Sequence, residues 1–464
     1  MLKALNKKLF YSMMILQLLA ASPLIAAEKL KLETVLERVS QNYTSLQIAS
    51  KQVERARQDV VAAESQLGWN VSAQGGVSRD ANFIGSISDT TSLGVSLNKQ
   101  LSIGSSLSIS ANTSNTEYPV PTGFSLPTDS ADYIVTYRQP LLKGMGNANF
   151  ETAMQNSKAG VIMSKASERS LRDQVGNQII ELFYGAALAY ESQTNAVSAL
   201  RRAERLVEFV KGNMKLGLAE EKDFLQFDAQ LRAARVELKN AELMWETQRT
   251  SLNRLMGKPW DYEFIPVVKA STRSLPGYTT LLEAAEEYSA GLLRYKAEVM
   301  MATAAIEKAR DDKASKLDLV LSAGPKTRDS NTETAYSLQL EYNRSVSKSG
   351  FDARLYQAQL DKDIAEQNLE QVRRDIEYDL NKLMAELRTT QQSMKLSERR
   401  LRVEQDRFDD VQQRFRSGRV DTSQLILAEG ELELGRFNLK QRTIELAKRQ
   451  AKLTALRGRL WTNQ

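Results

Sequence analysis

The sequence predicts a mainly α protein with a small β part, in which long α-helical hairpins are duplicated and two groups of short antiparallel strands interrupt them. Three observations predict it. Apolar residues recur at threes, fours and sevens over most of the chain, the spacing of one helix face. Glycine turns return at one fixed interval: Gly217 to Gly418 is 201 residues, and Gly257 to Gly458 is again 201. In two limited regions the apolar period falls to two, the signature of a strand.

The repeat comes first, because a fixed-offset repeat dictates the architecture. The stretch from Leu171 to Gly257 turns at Lys215-Leu216-Gly217-Leu218-Ala219-Glu220, and its copy turns at Arg416-Ser417-Gly418-Arg419-Val420-Asp421. Without a gap, Val175 falls on Ile376, Ile179 on Leu380, Leu182 on Leu383, Leu231 on Leu432 and Leu252 on Leu453. Each copy reads as a long helix, a sharp reversal and a returning helix. The apolar stripes are core of a coiled-coil-like wall, and runs such as Arg399-Arg400-Leu401-Arg402 are solvated faces.

In chain order, Lys3, Lys7 and Lys8 precede an apolar run from Leu9 to Ile25, and Ala26-Ala27 follow. Residues 1–27 are expected to be a secretory signal peptide cut after Ala27; an uncleaved membrane anchor is the alternative. Residues 33–66 form a helix on Val35, Leu36, Val39, Leu46 and Val53. Alternation then sets in at Trp69, Val71, Ala73 and Val77, at Leu93, Val95 and Leu97, at Leu107 and Ile109, and at Tyr133, Val135 and Tyr137. The Ser-, Thr-, Asn- and Gly-rich stretches 78–90 and 112–131 are expected to be loops. A helix runs from Ala148 to about Met214, roughly 67 residues or ~100 Å at 1.5 Å per residue. Its return ends at Met256, before Gly257-Lys258-Pro259. The second half follows the same order: a helix over 279–315, alternation at Leu317, Leu319 and Leu321 and at Tyr336, Leu338, Leu340 and Tyr342, then helices over 351–415 and up to Leu456. The expected division is 28–257 for the first repeat, 258–276 for an irregular linker and 277–464 for the second repeat.

Composition narrows the function. Among 464 residues there is no Cys and no His, which removes thiolate, imidazole and disulfide chemistry and the usual zinc and triad sites. No catalytic, cofactor-binding or metal-ligating residue is assigned, and an enzyme is not expected. The net charge is +6, three of it in the leader, so nucleic acid is not an expected partner. Beyond Ala27 no apolar run reaches the roughly 18 residues of a membrane helix. The strands can meet a bilayer only as a closed barrel, because an open edge would strand N–H and C=O groups in lipid. Several copies must then pool their strands. A soluble β-sandwich is the alternative.

At this point the chain resembles the TolC family of outer-membrane efflux and secretion channels. The resemblance lies in Leu30-x-Leu32-Glu33 with Asn42 nine residues on, the tract Tyr137-Arg138-Gln139-Pro140-Leu141-Leu142-Lys143-Gly144, the duplicated hairpins, and the turns Leu216-Gly217-Leu218 and Ser417-Gly418-Arg419. It implies a homotrimer whose helices form an α-barrel tunnel, capped by a shared antiparallel transmembrane β-barrel in outer-membrane lipid. It also implies passive exit for a tripartite efflux pump or a type I secretion system. The partners would be a periplasmic adaptor (membrane fusion) protein and an inner-membrane transporter of the RND, ABC or MFS class. The contact tips would be Leu216, Gly217, Leu218, Ser417, Gly418 and Arg419. Asp223 lies where the family has an aperture aspartate, whereas Gln424 and Leu427 stand where well-known members carry aspartates. Asp223, Asp228, Gln424 and Glu429 are therefore the aperture candidates. Helix capping is the competing account of these acids, above all for Asp421, with Gln424 three residues on. Two strands per half would give a trimer twelve strands, and the additional hairpin over 91–111 is expected to extend outside the membrane. A periplasmic coiled-coil adaptor or scaffold is the alternative function; it would carry a β domain between the arms of one hairpin.

Overall fold

The computed structural model describes residues 28–81, 87–117, 129–271 and 276–461, so the expected leader at 1–27 lies outside the described residues. The chain divides into two compact units. The first comprises 28–46, 171–288 and 376–461; the second comprises 47–170 and 289–375.

Among the described residues there are eight α-helices and eight strands. Strand β1 (Glu28–Leu30), helices α1 (Leu32–Asn42) and α2 (Thr44–Glu64) and strands β2 (Trp69–Ala81), β3 (Ile87–Gln100), β4 (Ser106–Glu117) and β5 (Asp129–Pro140) come first. Helices α3 (Ala148–Lys215) and α4 (Glu221–Leu255) and strand β6 (Phe264–Pro266) follow. The second half is α5 (Tyr278–Tyr288), α6 (Ala290–Lys313), β7 (Lys316–Arg328), β8 (Asn331–Asn343), α7 (Ser349–Arg416) and α8 (Thr422–Leu456).

Two expected helices are each broken into two. Tyr43 takes an extended backbone between α1 and α2, and Ser289 leaves the helical conformation between α5 and α6. Ser289 begins the new helix by accepting the Leu292 N–H at 3.2 Å. Short breaks of one residue leave the apolar period almost undisturbed, so the sequence pattern alone does not show them. The linker 258–276 is also more regular than expected. Its Phe264–Pro266 pairs in parallel with Glu28–Leu30. There Arg38 holds Glu28 at 2.7 and 2.9 Å, and the Tyr262 hydroxyl donates to the same carboxylate.

In the first unit α3 lies between α4 and α8, and α8 lies between α3 and α7. Tyr190 on α3 meets Trp245 on α4 edge-on at 5.3 Å. Lys440 on α8 reaches Glu191 on α3 at 2.6 Å, and Arg436 on α8 reaches Gln405 on α7 at 3.3 Å. The core falls in two clusters: Val35, Ile179, Phe183, Leu252, Met256, Phe264 and Ile444 are buried together in one, and Leu281, Leu380, Leu387, Leu446 and Leu453 in the other.

In the second unit one six-stranded antiparallel sheet has the order β2-β3-β4-β5-β7-β8. The additional hairpin is part of this sheet: strands β3 and β4 lie between β2 and β5 and pair along their length with them. The stretches expected to be loops also shorten, because β2 continues to Ala81 and β4 to Glu117. Cross-strand polar partners hold these ends: Arg79 clasps Asp89 with two 2.6 Å bonds, and Asn115 donates to Asp129 at 2.7 Å. The pair β5–β7 joins the two halves, with Val135 opposite Ala323 and Tyr137 opposite Leu321.

Candidate functional site: a two-faced sheet and two helical tips

The sheet divides its residues by chemistry. Side chains alternate across a strand, so the pairing register assigns each residue to a face. One row across all six strands reads Val71, Leu97, Ile109, Val135, Ala323 and Tyr336. The adjoining row, on the opposite face, reads Asn70, Asn98, Ser108, Thr136, Ser322 and Ser337. The apolar face is open to its surroundings: Val71 is 68% exposed, Tyr336 86% and Leu338 69%. A face of this kind in water would be a large unburied patch. The polar face is tied by hydroxyl pairs, Ser72 with Ser96 at 2.6 Å, Ser114 with Ser130 at 2.7 Å and Thr136 with Ser322 at 3.1 Å. Near its helix-proximal end Arg138 binds both Asp318 and Glu341 at 2.7 Å.

The tips are two copies of one turn. At the first, the Gly217 N–H donates to Met214 O at 3.0 Å and the Leu218 N–H to Asn213 O at 2.8 Å. At the second, Gly418 donates to Phe415 O at 3.0 Å and Arg419 to Arg414 O at 2.9 Å. This is the Schellman closure of a helix, and it needs a residue at positive φ; Gly217 and Gly418 have φ of 70° and 71°. Leu216 and Leu218 flank the first glycine at 72% and 74% exposure. Ser417, Gly418 and Arg419 are exposed as well.

Each aperture candidate has a partner. Asp223 accepts the Glu220 N–H at 3.1 Å, the reciprocal half of a capping box. Gln424 donates its backbone N–H to Asp421 at 2.9 Å. Asp228 pairs with Arg232 one turn on at 2.6 Å. Glu429 alone reaches another helix, taking Arg205 of α3 at 2.7 and 2.8 Å through its two oxygens. Beside it Arg202 is pushed below the usual arginine range by burial, with Glu429 and Glu433 opposing the shift. Sequence reasoning named Glu429 and missed Arg202 and Arg205. The missed signal was the antiparallel run of α3 and α8, which brings residues 224 apart in sequence together.

The capping account of Asp421 holds. Its carboxylate accepts the Ser423 hydroxyl at 2.7 Å and the Gln424 N–H, and these bonds lower its pKa. A lowered folded-state value means that its stabilisation is complete above the ordinary carboxylate range and is lost as pH falls through the lowered value. Asp421→Ala is expected to cost about 1 kcal/mol at neutral pH. In urea titrations that deficit should shrink in acid; a deficit independent of pH would contradict the assignment.

Comparison with solved structures decides the fold. The chain superposes on CusC, whose structures concern folding and transmembrane channel formation, with a TM-score of 0.66 over 92% of this chain and 91% of that one, at 16% identity. It has the TolC-like fold of outer-membrane channels. The CmeC outer membrane channel of Campylobacter jejuni gives a TM-score of 0.64 at 14% identity over 92% of this chain and 86% of that one. The open-state MtrE outer membrane channel of Neisseria gonorrhoeae gives 0.61 at 17% identity over 92% and 89%. No protein-family model matches the sequence, and no curated protein matches it. Gly217 and Gly418 stand at the turns of the two helical hairpins.

Proposed function

We propose that the protein is an outer-membrane channel with a periplasmic extension, giving passive exit to the cargo of an efflux or secretion machine. The observation that carries this reading is the sheet. One face is apolar and the other polar, and the outer edges of β2 and β8 have no pairing strand among the described residues. Open edges are excluded from lipid, so the edges pair with further copies of the same sheet.

The helices support a ring of copies. In α8, Ile426 and Ile444 are buried at 4% and 7%; 201 residues earlier in α4, Leu225 and Leu243 are 57% and 64% exposed. In the repeat α7 takes the place of α3, yet among the described residues it has no counterpart of α8 on its free flank, where Leu396 and Val403 are 63% and 64% exposed. The α4 helix of a partner subunit fills that place. Such a head-to-tail contact closes into a ring, which we take to be a homotrimer.

The tips then dock on a periplasmic adaptor that couples the channel to an inner-membrane transporter. The exposed Leu216 and Leu218, with the open backbone of Gly217 and Gly418, form the contact. Nothing but the turn 216–220 lies between α3 and α4, so the β domain that a coiled-coil adaptor would carry there is missing. Purified protein is expected to run as a trimer and to conduct ions across a planar bilayer. A monodisperse soluble monomer without conductance would refute the proposal. Asp223→Lys tests the aperture: cation preference should fall, while unchanged conductance and selectivity would leave Asp223 a capping residue only.

A further inference from the structure

The additional hairpin has a consequence for the width of the exit. We propose that β3 and β4 are staves of the barrel, so that three copies close an eighteen-stranded barrel with a wide, hydrated lumen. This rests on the channel reading above and extends it.

Topology is the first argument. β2 pairs with β3 over thirteen residue pairs from Trp69–Lys99 to Ala81–Ile87, and β4 pairs with β5 from Ser106–Arg138 to Asn115–Asp129. β5 is paired on both edges, with β4 and β7, and the free edge of β2 lies on the far side of β3, so β2 and β5 cannot pair with each other and leave the hairpin outside. Direction is the second. Six antiparallel strands return the chain to the opposite sense, so β8 of one copy meets β2 of the next antiparallel and the alternation continues around the ring.

The third argument is chemical. A hairpin projecting into water has no use for an apolar face. Here Leu93, Val95 and Leu97 of β3 and Leu107 and Ile109 of β4 continue the apolar face of the flanking strands without a break. Their opposite neighbours Ser96, Asn98, Ser108 and Ser110 continue the polar one. The strand lengths of 12–14 residues also match their neighbours, which a common bilayer requires.

The size follows from strand spacing. With strands ~4.8 Å apart and tilted ~40°, eighteen strands give a backbone diameter of ~36 Å, against ~24 Å for twelve. The residues facing inward are mostly small and uncharged, so they leave this lumen open and weakly selective. The width suits bulky hydrated cargo better than a lone small ion.

The natural lack of cysteine makes the test clean. Single variants V95C and I109C (apolar face) and S96C and S108C (polar face) would be placed in full-length protein in nanodiscs and treated with a charged maleimide. V135C against T136C, and L338C against S337C, serve as references on β5 and β8. Thiolate forms poorly in lipid, so the polar-face sites of β3 and β4 are expected to react about tenfold faster than their apolar neighbours. If the hairpin sites react alike while the reference pairs split, the eighteen-stranded barrel is wrong and the channel reading stands. If no pair splits, both fall. Electron microscopy of unmodified trimers is independent of any substitution: a barrel near 36 Å supports the proposal, and one near 24 Å overturns it.

Discussion

Replacing Glu429 by lysine is expected to raise the open probability of the reconstituted channel by about two orders of magnitude. Glu429 ties α8 to Arg205 of α3 just above the tips, with the half-buried Arg202 beside it. A pair this exposed, 49% for Arg205 and 31% for Glu429, is worth at most about 1 kcal/mol. Lysine removes that attraction and adds repulsion from two arginines, so ~1–2 kcal/mol is lost per copy. In the proposed trimer, three copies acting together would shift a closed-to-open balance by ~3–6 kcal/mol, and a hundredfold change needs under 3. Glu429→Gln should give a smaller rise, and pairing Glu429→Lys with Arg205→Glu should return the channel toward its resting behaviour. Unchanged single-channel records from well-folded trimers would remove Glu429 from the aperture.

Arg138→Ala is expected to weaken the sheet more than any other single change on its polar face. Arg138 bridges three strands, holding Asp318 of β7 and Glu341 of β8 from β5. The Asp318 side chain is only 4% exposed, and after the change its nearest cation is Lys316 at 3.4 Å. A fully buried broken pair costs about 3–5 kcal/mol; the remaining lysine and the 37% exposure of Arg138 reduce this to about 2–3. The measurement is the urea midpoint. Glu341→Gln is the internal comparison. It leaves the Arg138–Asp318 bond intact and should cost clearly less, so equal losses would show that Asp318 is not the residue that matters.

These two sites differ in how far the sequence revealed them. The helices, the tips and the alternating strand centres were legible because each depends on local spacing: 3.6 residues, 2 residues, or a glycine at a positive-φ reversal. The strand ends were not. Ser78, Arg79 and Asp80 read as loop by composition, yet they are strand because Asp89 and its neighbours lie opposite. Breaks of a single residue at Tyr43 and Ser289 were hidden by the same continuity of period. Partners across the fold were least visible of all, since Arg205 and Glu429 share no local pattern. The hairpin over 91–111 is a different case. Its alternation is legible in the sequence, whereas its partners are not: only the sheet shows that it pairs with β2 on one side and β5 on the other.

The seam between β5 and β7 sets an order of assembly. Hairpins β2–β3, β3–β4, β4–β5 and β7–β8 close through short connections, whereas β5 must wait for a strand that begins at Lys316, well over a hundred residues beyond its own end at Pro140. Loop-closure entropy grows with the logarithm of length, which makes this seam costlier to nucleate than the hairpins by ~3 kcal/mol. Two preformed ribbons, one of four strands and one of two, therefore join late. Until they do, β5 and β7 each present an adhesive edge to any other chain nearby. Nascent chains would need that edge shielded, and the seam is where mispairing between newly made copies would begin.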